Sequence, residues 1–116
     1  MNMRPLSENE RNLITRFAAK LGEVEGAQLI ADAAHATANA VTPDASRILF
    51  QIDGYNRPPY RGQHPFSVEG RMNDSDDVEL SVSLYADENG RLLELEFIRW
   101  DSKTIQEPQW QTLQVF

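Results

Sequence analysis

The chain has 116 residues, 41% of them hydrophobic and 25% charged, which fits one domain with an ordinary core. Its formal net charge is −7, which argues against a nucleic-acid partner, because phosphate contacts need clustered lysine and arginine. Cysteine is absent, so disulfides, thiol nucleophiles and cysteine-bound zinc are excluded.

Met1 to Phe17 carries no apolar stretch behind a basic start, and no run approaches the length of a membrane span. The expectation is a cytoplasmic chain with neither signal peptide nor membrane contact. Residues 5–21 read as a first helix. Ser7 is an N-cap, and Glu10, three positions on, completes a capping box; Pro5 fixes the entry. Leu13, Ile14, Phe17 and Leu21 form one apolar stripe, while Arg11, Arg16 and Lys20 lie away from it. Residues 25–41 read as a second, alanine-rich helix that Pro43 ends, with Leu29, Ile30, Ala33, Thr37 and Val41 on a narrow face. The short link between them predicts an antiparallel helical hairpin.

From Arg47 the period becomes two. Ile48, Phe50 and Ile52 mark a first strand, and Asp53-Gly54 closes it. The proline-rich stretch from Tyr55 to Pro65 is expected to be an irregular loop. Phe66 to Met72 marks a second strand, Val78 to Leu84 a third, and Leu93 to Phe97 a fourth that ends near Trp100. Asn89-Gly90 predicts a two-residue hairpin turn, which sets Glu88 opposite Arg91, Ala86 opposite Leu93, Leu84 opposite Leu95 and Val82 opposite Phe97. A loop tip at Asp74-Ser75-Asp76 sets Gly70 opposite Leu80 and Val68 opposite Val82.

The fold class is therefore α+β: an N-terminal helical hairpin packed on one face of a four-stranded antiparallel meander. The C-terminal segment 102–116, with Ile105, Trp110, Leu113, Val115 and Phe116, is too apolar for a free tail; it adds a strand or covers the sheet.

Charge is concentrated on this framework. Between Asp74 and Glu96 stand eight acids and one base, Arg91, so this segment carries the whole net charge. The predicted register separates loop-tip acids, read as aiding solubility, from an outer row in which Tyr85 lies beside Glu94, Ser83 beside Glu96, and Glu79 beside Trp100. Rings supply buried area and charges steer encounter, so the pattern points to a protein-binding surface. The residues expected to bind the partner are Asp76, Asp77, Glu79, Tyr85, Glu94, Glu96 and Trp100.

No catalytic motif competes. His35 sits among alanines as a packed or half-exposed helix residue. His64, near Tyr60, Arg57 and Arg61, reads as an ordinary loop residue; an enzyme built there would need His64 at the base of a cleft. The two histidines lack ligand spacing, so no metal or cofactor is expected. Asn73 to Asp77 resembles the start of a calcium loop but lacks its sixth-position glycine and twelfth-position glutamate. Glu94 and Glu96 project from one strand face roughly 7 Å apart, without a sugar cleft.

Two stretches carry a family resemblance. Arg4-Pro5-Leu6-Ser7 with the following glutamates, and Asp87-Glu88-Asn89-Gly90-Arg91-Leu92-Leu93-Glu94-Leu95-Glu96 followed by Arg99 and Asp101, resemble a group of small bacterial proteins of unassigned function. That group is similar to the immunity proteins encoded beside bacterial polymorphic toxins. It commonly has an aromatic where Ile98 stands and an aliphatic where Trp100 stands. The resemblance implies a non-enzymatic protein that binds a cognate toxin, such as a basic nuclease. A small regulatory or scaffold module, holding a ligand between helices and sheet, is the alternative.

Overall fold

A computed structural model describes residues 3–116. The chain runs β1 (Arg4–Pro5), α1 (Glu8–Ala18), α2 (Glu23–Ala34), β2 (Ala36–Ala40), β3 (Arg47–Ile52), β4 (His64–Pro65), β5 (Gly70–Asn73), β6 (Glu79–Ala86), β7 (Leu92–Arg99) and β8 (Gln109–Val115). The strands form one antiparallel sheet in the order β1-β2-β3-β7-β6-β5-β8, with the short β4 also pairing β6. The two helices cover one face. The α+β class and the helical hairpin stand, but the sheet has eight strands rather than four.

The capping box is present: the Glu10 backbone N–H donates to Ser7 Oγ at 3.1 Å, and the Ser7 N–H donates to Glu10 Oε1 at 2.7 Å. The helix starts after this cap rather than at Pro5, which instead pairs with Thr37. Leu13, Ile14 and Phe17 are fully buried, as their spacing requires. Helices α1 and α2 cross closely at Gly26, where an added Cβ would stand 2.6 Å from the Ala18 carbonyl oxygen.

The second helix is shorter than expected. It stops at Ala34 with His35 as an exposed C-cap, and Ala36–Ala40 turns back as a strand against β3. Thr37 and Asn39 have poor helix propensity, and the strand gives their backbone groups ladder partners. Of the expected narrow face, Ile30 within α2 and Val41 beyond β2 face solvent, whereas Leu29 is buried.

The meander also needs correcting. Strand β3 lies beside β7, not beside the next long strand in sequence. The segment from Asp53 to Gln63 carries the chain from β3 to β4 on the far side of β6, and this accounts for its length. Where the β3–β7 ladder ends, at Leu49 and Glu94, Arg57 fills the gap. Its Nη2 donates to the carbonyls of Phe50 (3.0 Å) and Leu92 (2.8 Å), and its Nη1 donates to Asp87 (2.8 Å).

The β5–β6 and β6–β7 hairpins each close with a three-residue loop. Asp87 N–H donates to the Arg91 carbonyl, Gly90 N–H donates to the Asp87 carbonyl, and Gly90 has φ 75°. The Asp74 to Val78 turn repeats this pattern, with Asp77 at φ 66° in the left-handed position. The predicted two-residue turn at Asn89-Gly90 is therefore replaced, and Ala86 meets Leu92 instead of Leu93. A bulge at Leu93 restores the expected register beyond it: Leu84 meets Leu95, and Val82 meets Phe97. The earlier hairpin is shifted by two residues, so Gly70 meets Val82 and Met72 meets Leu80. An even shift leaves every side chain on its expected face. Residues Ile48, Phe50, Met72, Leu80, Val82, Leu84, Leu95 and Phe97 join the helix stripe in the core.

Candidate functional site

The outer sheet face is assembled by cross-strand pairing of Arg71 with Ser81, Ser81 with Ile98, Ser83 with Glu96, and Tyr85 with Glu94. Strand β8 extends the sheet beside β5 instead of folding over this face. The C-terminal segment therefore adds a strand.

Arginines neutralise most of the acidic segment. Arg47 holds Glu94 with two bonds of 3.1 and 2.9 Å, and Glu94 is only 2% exposed. Hydrogen bonding and attraction to Glu94 raise the Arg47 pKa. Arg57 holds Asp87, and Arg71 loosely pairs Glu79 at 3.2 Å. The buried Arg99 binds Asp101, Asp76 and Asp74 together. These bonds raise the Arg99 pKa and lower those of Asp76 and Asp101.

Asp74 is completely buried and structural, not a solubilising loop-tip acid. Its carboxylate accepts N–H bonds from Ser75 (2.9 Å), Gln106 (2.9 Å) and Glu107 (2.7 Å) and one from Arg99 (2.8 Å). Burial pushes its pKa up, but these donors overcome that, and the net direction is down. The bonds anchor the chain leading into β8.

Of the seven expected partner-binding residues, Glu94 and Asp76 are thus committed to Arg47 and Arg99. Asp77 is exposed at the hairpin tip, and Glu79 is exposed beside Arg71. Tyr85 and Glu96 are half-buried and bonded to each other, the Tyr85 hydroxyl donating at 3.0 Å. Burial, then that bond, raises the Tyr85 pKa. Trp100 is 73% exposed, and its indole Nε1 donates to Ser81 Oγ at 2.8 Å. A large ring is thus held in one orientation in full view of solvent.

Trp100 borders an open groove of about 590 Å³ whose lining includes Ser81, Ser83, Ile98, Arg71, Glu69 and Phe116. Phe116 is 52% exposed, and the Arg71 guanidinium sits 4.5 Å from its ring centre. Sequence reasoning missed Phe116 and Arg71. The alternation of β5 places Arg71 on the outer face, but Phe116 joins it only through the β5–β8 pairing.

Elsewhere, Tyr60, Arg61 and His64 are exposed; His64 lines an open depression of about 430 Å³ with Phe66, Asp87 and Glu88, whose lining includes neither Tyr60 nor Arg61. Between helices and sheet, Leu13, Ile14, Phe17, Phe50, Leu84 and Leu95 are buried against one another. Among the described residues, no group of three or more His, Asp or Glu is placed to hold a metal, and no helix is long and apolar enough to cross a membrane.

No curated protein and no solved structure matches the chain. A family model does match over residues 3–109, and the chain belongs to that family, described as a domain of unknown function, DUF6984.

Proposed function

We propose that this chain is an immunity-type protein that binds and neutralises a cognate bacterial toxin through the outer face of its sheet. The observation that carries the reading is Trp100: a ring fixed by Ser81 yet 73% exposed, beside a groove whose other aromatic, Phe116, is also open to solvent. Anchored aromatics are enriched at the energetic centres of protein interfaces, since they bury large area with little loss of side-chain freedom. Resemblance of the first helix and closing hairpin to immunity proteins supplies the class of partner.

The arginine pairing changes how recognition is apportioned. Glu94 positions Arg47 and stiffens the sheet, while Glu79 and Glu96 remain near the groove and Asp77 at the adjacent turn. These acids favour encounter with a basic partner and contribute more to association rate than to affinity. The test is co-expression with the toxin domain encoded beside the gene. The wild-type chain is expected to protect cells and co-purify with the toxin, and Trp100→Ala to lose both while remaining folded. Protection by a folded Trp100→Ala chain equal to wild type overturns the reading.

A further inference from the structure

The groove beside Trp100 has a local charge that narrows its occupant. Glu69 lines it, Glu79 pairs with its wall residue Arg71, and Glu96 stands beside its floor residue Ser83. Among the described residues, Glu69 and Arg71 are the charged side chains on its lining; Arg71 is already shared with Glu79 and stacked on Phe116, so the two neighbouring carboxylates, Glu79 and Glu96, tip the local balance to negative. The Ile98 side chain supplies an apolar patch between Glu96 and Trp100 on the same strand face. The groove thus offers an exposed indole, an aliphatic floor and excess negative charge.

From this we infer that the groove takes an arginine side chain of the protein partner, with the stem over Ile98, the planar head against the Trp100 indole, and the charge balanced by Glu79 and Glu96. Such an occupant satisfies each feature: the guanidinium stacks on aromatic faces, is weakly hydrated for a cation, and bonds carboxylates through its fork of N–H donors. An aliphatic side chain leaves the carboxylates unused, and an anion meets Glu69 on the lining with Glu79 and Glu96 beside it, while Arg71 is already paired. The inference rests on the reading that the outer face is the partner-binding face, and it adds the chemistry of the contact.

The test follows the indole N–H resonances of the isotope-labelled full chain during titration with the blocked peptide Gly-Arg-Gly. The same peptide with citrulline replacing arginine keeps the shape and removes the charge. Trp110, half-buried on the helix-covered side with its ring perpendicular to Phe97, is the internal control, and Trp100→Phe assigns the two signals. The expected result is a saturable shift of the Trp100 signal, with the arginine peptide binding about threefold or more tighter than the citrulline peptide. Glu79→Gln combined with Glu96→Gln is expected to remove that preference. Equal affinities for the two peptides, a response confined to Trp110, or no saturable shift overturns the inference. These results are separable from the co-expression test. A toxin lost in Trp100→Ala, with no arginine preference, sinks the inference and leaves the toxin reading. Arginine binding, with toxin neutralisation intact in Trp100→Ala, does the reverse.

Discussion

Replacing Asp74 by asparagine keeps the shape of the side chain and turns one acceptor oxygen into a donor. Each carboxylate oxygen accepts from two groups: Oδ1 from the N–H groups of Ser75 and Glu107, and Oδ2 from Arg99 and Gln106. Whichever way the amide turns, two buried donors meet an NH2 group and lose their partner. An unsatisfied buried donor costs about 1–3 kcal/mol, so two cost about 2–6 kcal/mol, and about 3 kcal/mol fits donors that are only part-buried, as those of Ser75, Gln106 and Glu107 are. That is a large part of the ~5–15 kcal/mol that holds a domain together. With a urea dependence of about 1.5 kcal/mol per molar, the unfolding midpoint should fall by about 2 M. Hydrogen exchange adds a local readout, since the amides of Gln106 and Glu107 should lose protection before those of β6 and β7. A midpoint within about 0.5 M of wild type, with Gln106 and Glu107 still protected, refutes the reasoning.

Asp76 and Asp101 are held below the ordinary carboxylate range by Arg99, and Asp74 by its N–H donors despite burial. Folding therefore favours their ionised forms; this stability is present above about pH 4 and is lost as pH falls through the lower folded values. Tyr55 and Tyr85 are pushed up, first by burial, so their contribution is full below about pH 10 and is lost as pH rises through the folded values. Urea midpoints should form a plateau between these limits, and a rise in stability on acidification below about pH 4 contradicts the sign. Gly26→Ala gains about 1 kcal/mol of helix propensity but drives a Cβ to 2.6 Å from the Ala18 oxygen, so the melting temperature should fall; a rise shows that the helices can separate freely. Asp77→Gly should leave stability unchanged or raised, because φ 66° favours glycine, whereas Gly90→Val should lower it by about 1–2 kcal/mol. Equal melting temperatures for Gly90→Val and wild type discount the left-handed turn.

Strong local signals were legible in the sequence. Ser7 and Glu10 marked the first helix because a capping box is a contact between near neighbours. Alternation in β6 and β7 placed Val82, Leu84, Leu95 and Phe97 on one face, and the structure keeps that pairing despite a different turn. The bulge at Leu93 reconciles a three-residue loop with buried apolar residues on both strands, and no local signal marks a bulge at that leucine. The Ala36–Ala40 strand was hidden because alanine favours helix, and pairing with β3 and β1 overrides that preference. Burial of Asp74 was invisible for a related reason. Its partners Arg99, Gln106 and Glu107 lie far along the chain, so a run of acids read as a solvated turn. The same holds for Glu94, whose partner Arg47 comes from a strand expected at the far edge of the meander. Charge counting located an acidic segment, but only the fold shows how much of it arginine takes up.

The measurement closest to the central claim is a calorimetric titration of the proposed partner, any toxin domain found encoded beside the gene, into wild type and into Trp100→Ala, with equal folding stability established by urea unfolding. If the outer face is the binding face, Trp100→Ala removes an anchor worth about 2–4 kcal/mol, a loss of at least roughly thirtyfold in affinity. An affinity within about twofold of wild type contradicts the account and moves the partner to another face of the molecule.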